Sequence, residues 1–158
     1  MEKGFKVGQP APDFSLPDQS QVKVSLKDFR GKWIVLYFYP RDNTPGCTIE
    51  AKDFTKLKPQ FEKLNAVILG ISRDSCQSHQ KFVSGKRLTI TLLSDTDSSI
   101  QKRYGCWRPK KFMGKEFLGT IRSTFLIDPQ GMIARIWDPV KALGHAREVL
   151  EELRKLSG

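Results

Sequence analysis

The chain is organised around the stretch Tyr37-Phe38-Tyr39-Pro40-Arg41-Asp42-Asn43-Thr44-Pro45-Gly46-Cys47-Thr48-Ile49-Glu50. An apolar, aromatic and β-branched run that begins at Trp33 predicts a buried strand that ends before Pro40. Residues 42–46 are turn formers, and a helical spacing of apolar side chains begins directly after them (Phe54, Leu57, Phe61, Leu64). Cys47 is therefore expected where a strand has ended and a helix begins.

This position bears on the reactivity of Cys47. The nucleophilic form of a cysteine is the thiolate, and only about 3% of an unperturbed thiol is ionised at neutral pH. Making the thiolate the major form takes roughly 3 kcal/mol. A helix N-terminus offers free N–H groups and a partial positive charge, worth ~0.3–1 kcal/mol and at most ~2 kcal/mol. A reactive Cys47 therefore needs a cation from elsewhere in the chain, and without one it would be an inert small apolar residue.

The spacing Pro40-x-x-x-Thr44-x-x-Cys47 resembles the active-site signature of the peroxiredoxins, and residues 39–48 closely resemble the Q-type branch, the bacterioferritin comigratory proteins. The similarity runs from residues 8–14 to residues 125–131. It implies a thioredoxin-like α/β fold and a thiol-dependent peroxidase in antioxidant defence. Such an enzyme reduces hydrogen peroxide and organic hydroperoxides through a cysteine sulfenic acid, needs no metal or organic cofactor, and is recycled by thioredoxin or another thiol.

The resemblance also implies roles for three other residues. The hydroxyl of Thr44 would meet both the thiolate and the substrate oxygen, and Pro40, which has no N–H, would wall off the pocket. Family members carry an arginine beside the thiolate at the position of Arg122, which would supply the missing cation. The role of Glu50 is left open. This chemistry requires that Cys47 is not sealed in the interior and that Arg122 does not point into bulk solvent.

The cysteine that would resolve the sulfenic acid is not evident. Many Q-type members place it five positions after the first cysteine, where this chain has Lys52, and others place it on the following helix. Cys76 lies at the start of that predicted helix. It and Cys47 would each follow a strand of one parallel pair, although a disulfide, which needs Cα atoms within about 7 Å, would require local unwinding. Cys106 and a cycle in which an external thiol attacks Cys47 are the alternatives.

The remaining pattern predicts one domain, residues 1–158, with a central mixed sheet flanked by helices and an N-terminal β-hairpin at residues 13–26. The helix after Cys47 should run to about Leu64, with Pro59 kinking or interrupting it. The other predicted elements are a strand at 66–72, a helix at 75–86, a strand at 90–93, a helix at 95–105, a long basic loop at 105–118, a hairpin of strands 122–127 and 132–137, and a last amphipathic helix.

Composition sets the alternatives. The 27 basic and 17 acidic residues give a formal charge of +10, and basic and aromatic residues are interleaved over residues 102–117. This combination is compatible with a nucleic-acid-binding module, although a solvated loop is the simpler interpretation. A cysteine hydrolase could use His79 or His145, but neither lies in a hydrolase motif. We expect no membrane or nucleic-acid partner. Residues 1–6 lack the apolar core of a signal peptide, so we expect a cytoplasmic protein, or an organelle protein whose targeting segment was removed. The resemblance to Q-type peroxiredoxins, which are often monomers, implies a monomer.

Overall fold

The computed structural model describes residues 6–157. Residues 1–5, on which the expectation about a signal peptide rests, lie outside the described residues. The chain forms nine strands, four α-helices and a short 3-10 helix at Leu26–Phe29 within the described range. The bounds are β1 Ser15–Pro17, β2 Lys23–Ser25, β3 Trp33–Phe38, α1 Pro45–Lys63, β4 Ala66–Ser72, α2 Cys76–Lys86, β5 Thr91–Ser94, α3 Ser99–Arg103, β6 Trp107–Phe112, β7 Lys115–Thr120, β8 Ser123–Ile127, β9 Ile133–Trp137 and α4 His145–Ser157.

The central sheet has the strand order β5-β4-β3-β8-β9. Strand β3 is parallel to β4 and antiparallel to β8, and in the register Phe38 lies between Ile71 of β4 and Ser123 of β8. The loop after β3, the loop after β4 and the residue before β8 therefore meet at one edge of the sheet. The predicted central mixed sheet and N-terminal hairpin are confirmed.

The sheet separates two apolar layers because successive side chains of a strand point to opposite faces. Along β3, Val35 and Tyr37 pack into the layer that contains α1, α2 and α4, and Leu36 and Phe38 pack into the layer that contains α3 and the N-terminal hairpin. The first layer is built mainly from α1 and α4 (Phe54, Leu57, Phe61, Val149, Leu150, Leu153). It fixes the axis of α1, and hence the place of its N-terminus, against the sheet.

Two expectations are wrong. Residues 105–118 do not form a loop: β6 and β7 pair as an antiparallel hairpin whose two-residue turn, Met113 and Gly114, has φ of 52° and 80°. Of the two effects expected of Pro59, interruption of the helix is wrong, because α1 is continuous from Pro45 to Lys63, with Phe54, Leu57 and Phe61 buried on both sides of the proline. A kink at Pro59 stays a prediction. No helix within residues 6–157 combines the length and the apolar character needed to cross a membrane.

Candidate active site

The N-terminus of α1 is not capped by a side chain. Thr44 occupies the N-cap position with an extended backbone, and Pro45 begins the helix, as prolines commonly do. The Thr44 hydroxyl instead donates a hydrogen bond to the main-chain carbonyl of Arg41 at 3.0 Å. Cys47 is the third residue of the helix. The first-turn N–H groups beside its sulfur are therefore not occupied by a capping hydroxyl.

Arg122 provides the cation that the sequence required. Its Nη2 donates to the Cys47 sulfur at 3.3 Å, and its Nη1 donates to Glu50 Oε1 at 2.6 Å. The arginine side chain is only 16% exposed. Burial alone would lower the pKa of Arg122, but attraction to Glu50 and Cys47 outweighs burial, so the pKa is raised. A methyl group at Gly46 would lie 3.1 Å from Nη2, so the glycine makes room for the guanidinium.

Glu50, whose role the sequence left open, is a fully buried partner of Arg122. Burial raises the pKa of Glu50 to about 7 despite the opposing attraction of Arg122. Its second oxygen, Oε2, finds no hydrogen-bond partner among the described residues. The guanidinium is thus shared between a carboxyl that titrates near neutral pH and the cysteine sulfur.

Cys47 is only 1% exposed, and the Arg122 guanidinium that contacts its sulfur is 16% exposed, so the sulfur lies just beneath a side chain that is partly open to solvent. Thr44 and Pro40 are half-buried. Pro40 also lines a cavity of about 390 Å³ whose walls are apolar (Trp107, Phe117, Leu118) and charged, with three cations and one carboxylate (Arg41, Arg73, Lys110, Asp74). A peroxide or a thiol must therefore displace part of the surrounding chain before it reaches the sulfur.

Lys110 is a second cation near the thiol, contributed by the hairpin that the sequence analysis took for a loop. Its pKa is lowered, first by burial and then by repulsion from Arg122, while Cys47 acts in the opposite direction. Its Nζ donates to the Thr120 carbonyl at 2.9 Å, and this bond holds the lysine along the hairpin. Nothing in the local sequence distinguishes Lys110 from the neighbouring basic residues.

A buried polar network fastens the loop that precedes Cys47. Asp42 accepts hydrogen bonds from the hydroxyls of Tyr39 and Ser78, at 2.6 and 2.7 Å, and contacts His79 Nδ1 at 2.8 Å. His79 is fully buried, and the second histidine of the chain, His145, is 2% exposed. Sequence reasoning treated Asp42 only as a turn residue and did not find this network.

The network includes the one group of metal-type ligands among the described residues, Asp42, Asp74 and His79, whose ligand atoms lie within 4.8 Å of one another. Hydrogen bonds already engage these atoms. Asp74 Oδ2 accepts from the Asp42 N–H at 2.8 Å, and His79 Nε2 faces the Leu93 carbonyl at 3.0 Å. The group is therefore explained by hydrogen bonding.

The two other cysteines differ sharply in accessibility. Cys76 is the first residue of α2 and is half-buried, with Ser75 as the N-cap. Cys106 is fully buried, its thiol donates to the Tyr104 carbonyl at 3.7 Å, and burial raises its pKa to about 12. Cys76 is therefore the only one of these two that can react without disruption of the core.

Neither histidine is arranged as a base for a cysteine hydrolase. The ring nitrogens of His79 contact the Asp42 carboxylate, the Tyr39 hydroxyl and the Leu93 carbonyl, and those of His145 contact Thr124 Oγ1 and Glu148 Oε1. Burial lowers the pKa of His145 despite the neighbouring Glu148. The hydrolase alternative is not supported, and neither is the nucleic-acid alternative.

The fold and the site together define a thiol-dependent oxidoreductase, in which a cysteine at a helix N-terminus is paired with a guanidinium. Comparison with known proteins defines it further. The family model described as "AhpC/TSA family" matches residues 7–136. A putative peroxiredoxin bcp from Helicobacter pylori strain J99 is 53% identical over 153 residues, covering 97% of this chain and all of that protein. Peroxiredoxin Bcp from Bacillus subtilis strain 168 is 44% identical over 153 residues, covering 97% and 98%.

Solved structures of Q-type peroxiredoxins have the same fold as this chain. Peroxiredoxin Q from Xylella fastidiosa aligns with a TM-score of 0.94 at 37% identity, covering 99% of this chain and all of that one. The bacterioferritin comigratory protein of Xanthomonas campestris, solved in work on its alkyl peroxide reduction activity, gives a TM-score of 0.90 at 37% identity with the same coverage. The chain belongs to the AhpC/TSA family, within its Bcp or Q-type peroxiredoxins. It is a thiol peroxidase with the predicted thioredoxin-like fold; its substrate is a hydroperoxide, and a thiol restores it.

Proposed function

We propose that Cys47 is the peroxidatic cysteine. Its thiolate attacks the terminal oxygen of a hydroperoxide; an S–O bond forms, the O–O bond breaks, and the departing oxygen takes up a proton to leave as water or an alcohol. The observation that carries the proposal is the 3.3 Å hydrogen bond from Arg122 to the Cys47 sulfur. A guanidinium keeps its charge at all relevant pH values, so it can stabilise negative charge on the sulfur and then on the departing oxygen.

Glu50 is proposed to position Arg122. The ion pair at 2.6 Å holds one edge of the guanidinium, so that the other edge faces the sulfur. Since a planar guanidinium donates from both edges in a fixed geometry, fixing one edge also fixes the other. Glu50 therefore acts through Arg122 and does not itself touch the reacting atoms.

Thr44 and Pro40 complete the proposed site. The Thr44 hydroxyl, which now donates to the Arg41 carbonyl, keeps lone pairs that can accept a hydrogen bond from the peroxide. The uncapped first-turn N–H groups of α1 are available to the oxygen that develops charge. Pro40 lines the neighbouring cavity without offering a competing N–H.

The cavity beside Pro40 supports organic hydroperoxides as substrates in addition to hydrogen peroxide. Its apolar walls, from Trp107, Phe117 and Leu118, can cover a carbon chain while the peroxide group lies toward the sulfur. The relative from Xanthomonas campestris, solved in work on alkyl peroxide reduction, acts on the same class of molecule.

For recycling, we favour Cys76 as the resolving cysteine. It is half-buried at the start of α2, whereas the pKa of about 12 and the full burial of Cys106 make that thiol unreactive. Attack by an external thiol on Cys47 remains the alternative cycle. Thioredoxin as the reductant, a monomeric state and a cytoplasmic location stay predictions.

The test is a single-turnover measurement of peroxide consumption by the reduced protein. Cys47→Ser should abolish consumption and leave the fold intact, because oxygen replaces sulfur at nearly the same volume. Cys106→Ser is the matched control and should consume peroxide at the wild-type rate. Consumption that survives in Cys47→Ser would refute the assignment.

A further inference from the structure

We infer that a cavity beside Cys76 binds a small aminothiol, or the disulfide formed from two such molecules, and that Cys76 undergoes thiol–disulfide exchange with this ligand. The cavity has a volume of about 360 Å³ and lies among β1, the start of α2 and residues 94–100. We call it the acidic cavity, because Asp95 and Asp97 line it together with Cys76 and Ser94. The inference does not depend on the role of Cys47.

The acidic cavity has the opposite charge to most of the chain. Asp95 and Asp97 line it, and none of the lysines and arginines within residues 6–157 does, although the chain carries a formal charge of +10. Burial raises the pKa of Asp95, and the carboxylate of Asp97 raises it further, while the N–H groups of Ile100 and Gln101 act in the opposite direction. A cation beside these two carboxylates relieves their repulsion, so the cavity favours a ligand that carries an ammonium group.

A buried hydroxyl at the wall of the acidic cavity lacks a partner. Ser94 is the last residue of β5 and is 4% exposed, and its Oγ has no hydrogen-bond partner among the described residues. A buried polar atom in this state is unusual, because burial removes its hydrogen bonds to water and nothing replaces them. An ammonium group in the cavity would donate to this oxygen. Ser94 is therefore a second feature, independent of the carboxylates, that indicates a cationic ligand.

The dimensions of the acidic cavity favour an organic cation over a metal ion. A volume of about 360 Å³ lies at the lower end of the range for small-molecule pockets. Within residues 6–157, the thiol and the carboxylates of this cavity do not form a group of three metal-type ligand atoms that lie within 4.8 Å of one another. The wall also includes the buried apolar side chains of Leu16 and Ile100, against which a short carbon chain can pack.

Cys76 gives the site its chemistry. It is half-buried and lines the cavity, and the chain belongs to a family that a thiol restores. In the exchange, the Cys76 thiolate attacks one sulfur of the small disulfide, an S–S bond to Cys76 forms, and the S–S bond of the ligand breaks. The released half takes up the proton that Cys76 lost. When Cys76 is instead joined to Cys47, the thiolate of the aminothiol attacks the Cys76 sulfur in the same way, and Cys47 leaves as the thiolate.

The test is the rate of thiolation of Cys76 by three symmetrical disulfides of similar size: cystamine, which is cationic, hydroxyethyl disulfide, which is neutral, and dithiodipropionate, which is anionic. Each rate constant is measured on the reduced wild-type protein at low salt, by mass spectrometry of the peptide that contains Cys76. It is divided by the rate constant of the same disulfide with the neutral thiol N-acetylcysteinamide. On this scale cystamine should react about tenfold faster than dithiodipropionate, the size expected for two partly screened carboxylates. The net charge of the chain alone would produce the opposite order.

Two variants connect this preference to the cavity. Asp97→Asn should slow the reaction with cystamine about threefold and leave the reaction with the neutral disulfide within about twofold. Ser94→Ala should also slow the reaction with cystamine about threefold, because it removes an acceptor of the ammonium group. Glu62→Gln is the matched control, since it removes the same charge from an exposed position on α1, and it should leave the rates with all three disulfides unchanged.

A second readout separates binding from reactivity. Diaminohexane has the length and the two charges of cystamine but contains no sulfur. It should slow the thiolation of Cys76 by the neutral disulfide, and the effect should saturate as the diamine concentration rises. Adipate, which is of similar length and carries two negative charges, should have no such effect.

The inference is overturned if dithiodipropionate reacts with Cys76 as fast as cystamine, if Asp97→Asn is no slower than Glu62→Gln, or if diaminohexane gives no saturable protection. If Asp97→Asn does not fold, Ser94→Ala must give the same loss of rate with cystamine. Failure of the proposed function would show separately, as peroxide consumption that survives Cys47→Ser, and would leave these rates unchanged.

Discussion

Replacement of Arg122 by alanine should disfavour the Cys47 thiolate and slow its attack on peroxide. In the wild-type site the guanidinium Nη2 lies 3.3 Å from the sulfur, and the two side chains are 16% and 1% exposed, so little solvent screens the pair. Alanine removes the charge and the donor together. It also leaves the carboxyl of Glu50 buried without its partner, which favours the neutral form of that group.

The size of the effect follows from this distance. Two unit charges at 3.3 Å attract by about 5 kcal/mol at an effective dielectric constant of about 20. Desolvation of the pair and the opposing charge of Glu50 offset roughly half of that figure, which leaves ~2–3 kcal/mol. At tenfold per 1.4 kcal/mol, the ratio of thiolate to thiol at Cys47 should fall by roughly 30- to 150-fold, and the rate constant of peroxide attack at neutral pH should fall in step with the fraction of thiolate.

The assay is the ultraviolet absorbance of the thiolate as a function of pH, in a Cys76→Ser, Cys106→Ser background so that only Cys47 titrates, with stopped-flow peroxide reduction on the same samples. Arg108→Ala is the matched control, because Arg108 makes a half-buried ion pair with Asp138 at 2.7 Å and no hydrogen bond to Cys47. Urea unfolding of both variants measures any loss of stability. Titration curves that coincide for Arg122→Ala and wild type, or attack rates within twofold, would remove Arg122 from the mechanism.

Three further predictions concern the surrounding residues. The pKa of Glu50 is about 7 in the folded chain against an ordinary value of 4.5, so the folded chain binds more protons than the unfolded chain between these pH values. The stability that this group contributes is therefore full below pH 4.5 and is lost, by up to ~3 kcal/mol, as the pH rises through 7. In urea unfolding Glu50→Gln should lack this loss, and parallel pH profiles of stability for the variant and wild type would contradict the prediction. Gly46→Ala should slow peroxide attack about two- to tenfold, because the added methyl group would displace the Arg122 guanidinium. Helix propensity alone predicts that the same variant is as stable as wild type or more stable, by up to ~1 kcal/mol. An unchanged rate would show that the guanidinium is not displaced. After one equivalent of peroxide, wild type should yield a peptide in which Cys47 is linked to Cys76, and Cys76→Ser should accumulate a sulfenic acid that dimedone traps; a stable sulfenic acid in wild type would favour the one-cysteine cycle.

The parts of the site that local sequence determines could be predicted. The apolar run of β3, the turn formers after Pro40 and the helical spacing that begins at Phe54 all act within a few residues of Cys47, so the strand, the loop and the helix N-terminus follow from them. The hairpin of β8 and β9 was equally local, because its turn residues at 128–131 lie between two apolar runs.

The parts that depend on distant contacts could not be predicted in the same way. Arg122 lies 75 positions from Cys47, and only the resemblance to peroxiredoxins indicated that the two meet. The pair of Asp42 and His79 spans 37 positions and joins a turn residue to a helix that has little local reason to contain a buried histidine. Glu50 could not be recognised as buried, since an acidic side chain one turn into a helix normally serves the helix dipole in solvent.

The hairpin of β6 and β7 was missed for a different reason. Its strands are charged and mostly exposed, they contain Pro109, and their turn is Met113-Gly114 rather than Asn-Gly or Asp-Gly, so neither alternation nor turn chemistry marked it. The strands are visible only through their pairing with each other. The consequence reaches the site, because this hairpin brings Lys110 near Cys47 and supplies most of the apolar wall of the cavity.

The most direct test of the central claim is to identify which sulfur is oxidised first. The reduced protein is mixed with less than one equivalent of peroxide, quenched within milliseconds with a sulfenic acid trap, digested and mapped by mass spectrometry. The first oxygen should be found on Cys47, either trapped there or already replaced by a bond to Cys76. Oxidation of Cys76 or Cys106 while Cys47 remains a free thiol would contradict the claim that the guanidinium-paired sulfur is the nucleophile.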